Sequence, residues 1–263
     1  MSIEQNQPLL VTYLGGPTII IEINGFRIIT DPTLDPEGTS FKLNEKMSEK
    51  KLSGPAILPD KFIDLVLLSH DQHFDNLDGK GRLFLKEAGV TLTTIGGAER
   101  LKGNAIGLAP FQYRSFTTIA GDEIKITATP ARHGPAGIEP ITGDVIGFHL
   151  AVNGDRSFEL YITGDTVYYN EIEKLAERIK PAYAFIFAGA ARPRGPFNVT
   201  MSTNDALDTA AAFRESILIP LHSEGWSHYT ENNKNLKEAF QILGIENQLK
   251  ILEPGISTTL PIR

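Results

Sequence analysis

Ser69-His70-Asp71-Gln72-His73-Phe74-Asp75-Asn76-Leu77-Asp78 is the stretch whose reading decides the fold. It begins where Ile63-Asp64-Leu65-Val66-Leu67-Leu68-Ser69 ends, a run apolar enough for a buried strand. Imidazoles and carboxylates therefore stand at a strand end, where a rigid scaffold presents its functional loops. The pattern recurs in Thr129-Pro130-Ala131-Arg132-His133-Gly134 and Pro220-Leu221-His222, with Thr163-Gly164-Asp165-Thr166 between them. Nitrogen and oxygen donors gathered from several strand ends are what a catalytic zinc-type site requires.

Outward from these patches the chain reads as strands followed by helices, twice over. Leu9 to Leu14 and Thr18 to Ile23 form a strand pair about Gly15-Gly16-Pro17, and Asn24-Gly25 is a hairpin signal leading to a strand over Phe26 to Thr30. Residues 33–60 are rich in proline, glycine and mixed charge and read as a long excursion, either a lid or a contact between copies in a homo-oligomer. Leu77 to Ala88 reads as a helix, Val90 to Thr94 as a strand, and a short helix follows around Ala98 to Leu101. In the second half, strands are expected over 115–119, 123–129, 145–152, 157–163, 183–187, 217–221 and 249–252, with helices over 169–179, 203–213 and 233–243. Two packed sheets with helices outside, in one domain over residues 1–263, is the expected architecture.

Composition narrows the chemistry. The chain has 263 residues, 41% hydrophobic and 22% charged, which supports a sizeable core. A net charge of −7 without a basic block argues against nucleic-acid binding. With no cysteine, any metal must be held by nitrogen and oxygen donors. The N-terminus has no basic region with an apolar core, and no apolar run approaches the ~20 residues needed to cross a membrane. A soluble, cytoplasmic protein with no membrane partner, acting on a small molecule, is the expectation.

Taken in order, Tyr13-Leu14-Gly15, Ile28-Ile29-Thr30-Asp31-Pro32, Leu67-Leu68-Ser69-His70, Thr129 to His133, Thr163 to Thr166 and Pro220-Leu221-His222 resemble the metallo-β-lactamase superfamily. The similar branch is that of metal-dependent hydrolases which includes L-ascorbate-6-phosphate lactonase. The resemblance implies an α/β fold, a four-layer αββα sandwich with metals at one edge between the sheets. The usual first motif is His-x-His-x-Asp-His. Here one residue is added and Asn76 stands where the last histidine belongs. A loop bulged by one residue lets His70 and His73 both ligate, with Asp71 competing for the first position.

The resemblance further implies that His133 completes a three-nitrogen site and that Asp165 bridges two metals. Asp75 and His222 would hold the second metal, with Asn76 near it. An amide oxygen is a poor replacement for imidazole, so the second site should be weaker and suit a harder cation. Zn2+, as one or two ions, is expected, with Mn2+ or Fe2+ as alternatives. Metal-bound hydroxide would attack a small ester, lactone or phosphodiester, with Asp75 and Asp165 as catalytic carboxylates. Asp31 could accept a hydrogen bond from a ligand imidazole. The alternatives are a mononuclear iron oxygenase on the same fold and a degenerate, non-catalytic metal-binding protein.

The remaining candidates are less constrained. His149 lies mid-strand and reads as structural, whereas His228 either lines the pocket or replaces the histidine missing at Asn76. Arg192 and Arg194 follow a strand and suit a carboxylate or phosphate on a substrate. Trp226 and Tyr229 follow His222 and are expected to form an apolar pocket wall.

Overall fold

A computed structural model describes residues 9–42 and 48–262. The elements run β1 (Leu9–Gly15), β2 (Thr18–Ile23), β3 (Phe26–Thr30), β4 (Ser40–Lys42), β5 (Ser48–Lys50), β6 (Leu65–Leu67), α1 (Gly79–Phe84), β7 (Val90–Thr94), α2 (Ile95–Leu101) and β8 (Ala105–Leu108). They continue with β9 (Tyr113–Thr117), β10 (Glu123–Pro130), α3 (Glu139–Thr142), β11 (Ile146–Asn153), β12 (Phe158–Ile162), α4 (Asn170–Arg178), β13 (Tyr183–Phe187), α5 (Thr203–Ala212), β14 (Ile217–Leu221), α6 (Asn233–Ile242) and β15 (Ser257–Leu260).

Two sheets carry the fold, in the orders β15-β1-β2-β3-β6-β7-β8 and β14-β13-β12-β11-β10-β9. Asn24 and Gly25 have φ of 46° and 81°, the positive values that a tight two-residue hairpin needs, and Ile23 pairs with Phe26 across them. Alternation decides which faces meet. Ile124, Ile126 and Ala128 of β10 are buried and pack with Val11, Ile19, Ile21 and Phe185 in the core between the sheets. On the outer face of the second sheet, Ile172 and Leu175 of α4, Ala206 and Ala210 of α5, and Leu236 and Phe240 of α6 cover Tyr161, Ala184, Ile186 and Leu218. Leu77 and Leu85 cover Ile29, Val66 and Leu68 of the first sheet. The four-layer sandwich follows from burying both faces of both sheets.

Two expectations need correction. The last strand is β15, antiparallel to β1, while the 249–252 segment makes only a single bridge between Leu249 and Leu218. Leu77 lies outside α1, because Asp78 caps that helix by accepting from the Gly81 amide at 2.9 Å. Within the 33–60 excursion, β4 and β5 pair antiparallel, and Phe41 stacks on Phe74 of the histidine loop with ring centroids 4.7 Å apart.

Parallel pairing aligns the strand ends that matter. β3 pairs parallel with β6, β12 with β13, and β13 with β14, so Asp31, the 69–76 loop, Asp165 and His222 all leave from C-terminal strand ends. β10, which ends in the segment leading to His133, runs antiparallel to β11, and that in turn is antiparallel to β12. The sheet arrangement thus brings five chain segments to one edge of the sandwich.

Candidate metal centre

His70 Nε2 and His133 Nε2 each lie 3.0 Å from His73 Nδ1. Asp165 Oδ2 is 3.6 Å from His133 Nε2 and 4.0 Å from His70 Nε2. Gly164 makes this approach feasible: its φ is 61°, and a Cβ there would stand 2.6 Å from the Ile146 carbonyl and 2.9 Å from Ser69 Cβ. The first loop presents both His70 and His73 to the group. Asp71 turns elsewhere. Its carboxylate accepts from Arg100 Nε at 3.0 Å and Nη2 at 2.5 Å, so it stands apart from the cluster.

The hydrogen bonds on the ring atoms facing away fix what the ring atoms facing inward can do. His133 Nδ1 donates to the Val199 carbonyl at 2.7 Å, so its neutral ring presents a lone pair at Nε2. His70 Nδ1 is 3.0 Å from Ser69 Oγ. His73 Nδ1 can donate to only one of its two nitrogen neighbours, leaving lone pairs face to face. Such a group fits a cation, because a shared proton cannot satisfy all three nitrogens. Burial and neighbouring imidazoles hold His70 well below its ordinary pKa and bring His133 to about 3. Neutral rings are the state that metal binding needs.

A second set of donors adjoins the first. His222 spans two carboxylates, with Nδ1 3.3 Å from Asp165 Oδ1 and Nε2 3.3 Å from Asp75 Oδ2. Its φ of 54° is unusual for a non-glycine residue, and its amide donates to the Gly16 carbonyl at 2.7 Å, fixing it against the β1–β2 turn. Burial works against the His222 charge, but Asp165 and Asp75 outweigh it and raise the pKa to about 9. Burial pushes Asp165 up to about 6. Burial opposes the Asp75 charge too, yet His228 and His222 hold it well below the usual carboxylate range.

Other expected residues take more specific places. Asn76 donates Nδ2 to Asp165 Oδ1 at 3.2 Å. Asp31 reaches His70 only through Ser69: it accepts the Ser69 amide at 2.6 Å, and the Ser69 hydroxyl meets the ring. His228 Nε2 is 2.8 Å from Asp75 Oδ2, and Tyr229 lies between the two histidines, its centroid 4.8 Å from His222 and 4.7 Å from His228. Arg194 lines the cleft over the site with Glu49, His73, Asp75, His133, Pro193 and Val199. Arg192 does not line it; its Nε donates to Asn198 Oδ1 at 2.6 Å. Trp226 is buried against Phe41, with centroids 5.5 Å apart, and Lys51 Nζ is 5.6 Å from its ring, so it supports the hairpin and does not line that cleft. His149 pairs with Glu159 at 3.2 Å, away from the cluster.

Glu49 is the residue that sequence reasoning missed. It sits on β5, buried, with Oε1 3.8 Å from His228 Nδ1. Burial and Asp75 raise its pKa to about 7. Nothing local in Ser48-Glu49-Lys50 signals this, because the position is set by long-range pairing of the hairpin.

Residues 26–223 match the family model described as the beta-lactamase superfamily domain. The chain belongs to the β-lactamase superfamily. Among curated relatives, a UPF0173 metal-dependent hydrolase of Methanopyrus kandleri is 24% identical, the alignment covering 94% of this chain and 98% of the relative. The UPF0173 protein YddR of Bacillus subtilis is 22% identical over 95% of this chain and 99% of its own length. Among solved structures, an isothiocyanate hydrolase from Delia radicum gut bacteria superposes with a TM-score of 0.79 at 20% identity, covering 95% of this chain and 99% of that one. The shared architecture is the metallo-β-lactamase fold, and among the described residues no helix is long and apolar enough to cross a membrane.

Proposed function

We infer that the chain is a metal-dependent hydrolase acting on a small ester, lactone or phosphodiester. The observation that carries the reading is the meeting of His70, His73 and His133 nitrogens beside Asp165, within a buried cluster that also holds Asp75 and His222. Curated relatives named as metal-dependent hydrolases along nearly their full length support it. His70, His73, His133 and Asp165 would hold one cation, zinc by their donor set. Asp75, His222 and Asp165 form an adjoining donor set.

A bound divalent cation supplies Lewis acidity, lowering the pKa of a coordinated water to about 7 and polarising the substrate oxygen. The protein's part is positioning and proton management. Asp75, held by His228 and His222, keeps its negative charge beside the cluster and can accept a hydrogen bond that orients the attacking water. Arg194 at the cleft mouth offers a forked donor to a carboxylate or phosphate on the substrate, away from the bond that breaks. The cleft walls, Pro193 and Val199, limit the space to small substrates.

Elemental analysis of protein purified without added metal, followed by a screen of ester, lactone and phosphodiester substrates, tests the reading. Hydrolysis that is abolished by chelation and by His133→Ala is expected. Oxygen uptake by iron-loaded protein without hydrolysis would replace the reading with an oxygenase, and no metal uptake at all would overturn it.

A further inference from the structure

We propose that Glu49, Asp75 and His228 hold the second divalent cation, in place of Asp75 with His222 and Asp165. The inference rests on the metal-dependent reading above and assigns a different ligand set to its second position. One donor atom from each of the three residues falls within 4.8 Å of the others. Their side chains are 8%, 7% and 7% exposed, respectively. Two buried carboxylates face the His228 imidazole, and a divalent cation between them would replace the water that burial strips from their oxygens.

His228 supplies an independent sign. Its Nδ1 is buried and has no hydrogen-bond partner among the described residues. The nearest carboxylate oxygen, Glu49 Oε1, is 3.8 Å away, too far for a hydrogen bond. The ring is therefore anchored to Asp75 at one nitrogen and unsatisfied at the other.

The arrangement is built by backbone pairing. Lys51 bridges Trp226 antiparallel, the Ser227 amide donates to the Lys50 carbonyl at 3.0 Å, and the Lys50 amide donates to Ser227 Oγ at 2.9 Å. The Leu52 amide donates to the Gly225 carbonyl at 2.8 Å. Continued by two residues, that register sets Glu49 opposite His228, where side chains of paired strands meet on one face. Lys51 then locks the segment, its Nζ donating to the Thr33 carbonyl at 2.7 Å and to Asp78 Oδ2 at 2.9 Å.

The alternative position is less open. Asn76 aims an N–H at Asp165 Oδ1, and His222 approaches the same oxygen at 3.3 Å. Amide hydrogens repel a cation, so the Asn76 side of Asp165 Oδ1 is closed to one. A donor set of two carboxylates and one imidazole suits a harder divalent ion such as Mn2+.

The test loads apo-protein with one equivalent of zinc and titrates it with Mn2+, reading free Mn2+ by electron paramagnetic resonance. The wild type is expected to bind one Mn2+ beyond its zinc. Glu49→Gln and His228→Gln should each weaken Mn2+ binding by at least about tenfold while the zinc stays bound, which also reports that the fold is intact. Unchanged Mn2+ affinity in Glu49→Gln, or a step lost only in His222→Gln, overturns the assignment. Zinc binding with no Mn2+ step in the wild type overturns this inference alone, whereas failure to bind zinc overturns the metal-dependent reading itself.

Discussion

Asn76 donates its side-chain amide to Asp165 across 3.2 Å, with the amide oxygen left buried and unpartnered among the described residues. The bond leaves Asp165 Oδ2 facing the three histidines, while Oδ1 accepts from Asn76. Two positions for cations are therefore unequal by construction. Calorimetric titration of apo-protein with zinc should resolve a tight step and one weaker by at least about tenfold. Two steps of equal affinity would show that the amide does not discriminate between the positions.

His70 and Asp71 separate cleanly. His70→Ala should release most of the tightly held metal during gel filtration, because one of three nitrogens is lost. Asp71→Ala should retain it, since Asp71 serves Arg100 and the Arg82 guanidinium binds its carbonyl. Metal loss in Asp71→Ala with retention in His70→Ala would reverse the roles.

The two arginines differ in the same way. Arg194 lines the cleft, whereas Arg192 is held by Asn198. Arg194→Ala should raise KM for an anionic substrate by about tenfold, with a much smaller change for a neutral analogue. Arg192→Ala should leave both within about twofold. Steady-state kinetics on matched substrates decides it, and equal effects on both substrates would remove the anion-binding role.

How far the chain can be read without its structure follows from what each signal depends on. His70, Asp165 and His222 stand after apolar runs and His133 after an alternating one, all strand signals, so their gathering at one edge follows from local pattern plus sheet topology. The 257–260 strand was hidden because it is short and at a sheet edge, where Ser257-Thr258-Thr259-Leu260 needs only β1 as a partner. Glu49 and Lys51 were hidden because their burial comes from pairing with residues 225–227, about 175 positions away. Arg192 failed as a pocket residue because a nearby Asn198 competes for its guanidinium, a contact set by loop conformation.

His149 gives a pH dependence outside the site. Burial lowers its pKa, and the Glu159 carboxylate 3.2 Å away only partly offsets this. As the pH falls through about 6.5, the unfolded chain takes up this proton before the folded chain does. Stability linked to the neutral ring is complete above that value and is lost below it, at up to about 1.4 kcal/mol per pH unit. His149→Gln should therefore gain on the wild type as the pH drops from about 7.5 to about 5. Melting temperatures of both proteins across that range check it, and a constant gap would mean the ring stays equally protonated in both states.

Lys51 sets the hairpin that carries Glu49. Its Nζ is buried between the Thr33 carbonyl and Asp78 Oδ2, and burial lowers its pKa against the pull of Asp78. Asp78 is itself fully buried and also accepts the amides of Leu34 at 2.9 Å, Asp35 at 2.7 Å and Gly81 at 2.9 Å. Those three donors cannot neutralise it. Lys51→Met keeps the aliphatic stem but strands the Asp78 charge, a change that costs about 3 kcal/mol when one partner of a buried pair is removed. Urea denaturation should show the loss as a lower midpoint with an unchanged slope. The double variant Lys51→Met, Asp78→Asn should recover part of it, because no unpaired charge remains. A single variant as stable as the wild type would show that the backbone amides alone carry the Asp78 charge, and that the hairpin is held by Phe41 and Trp226 packing instead.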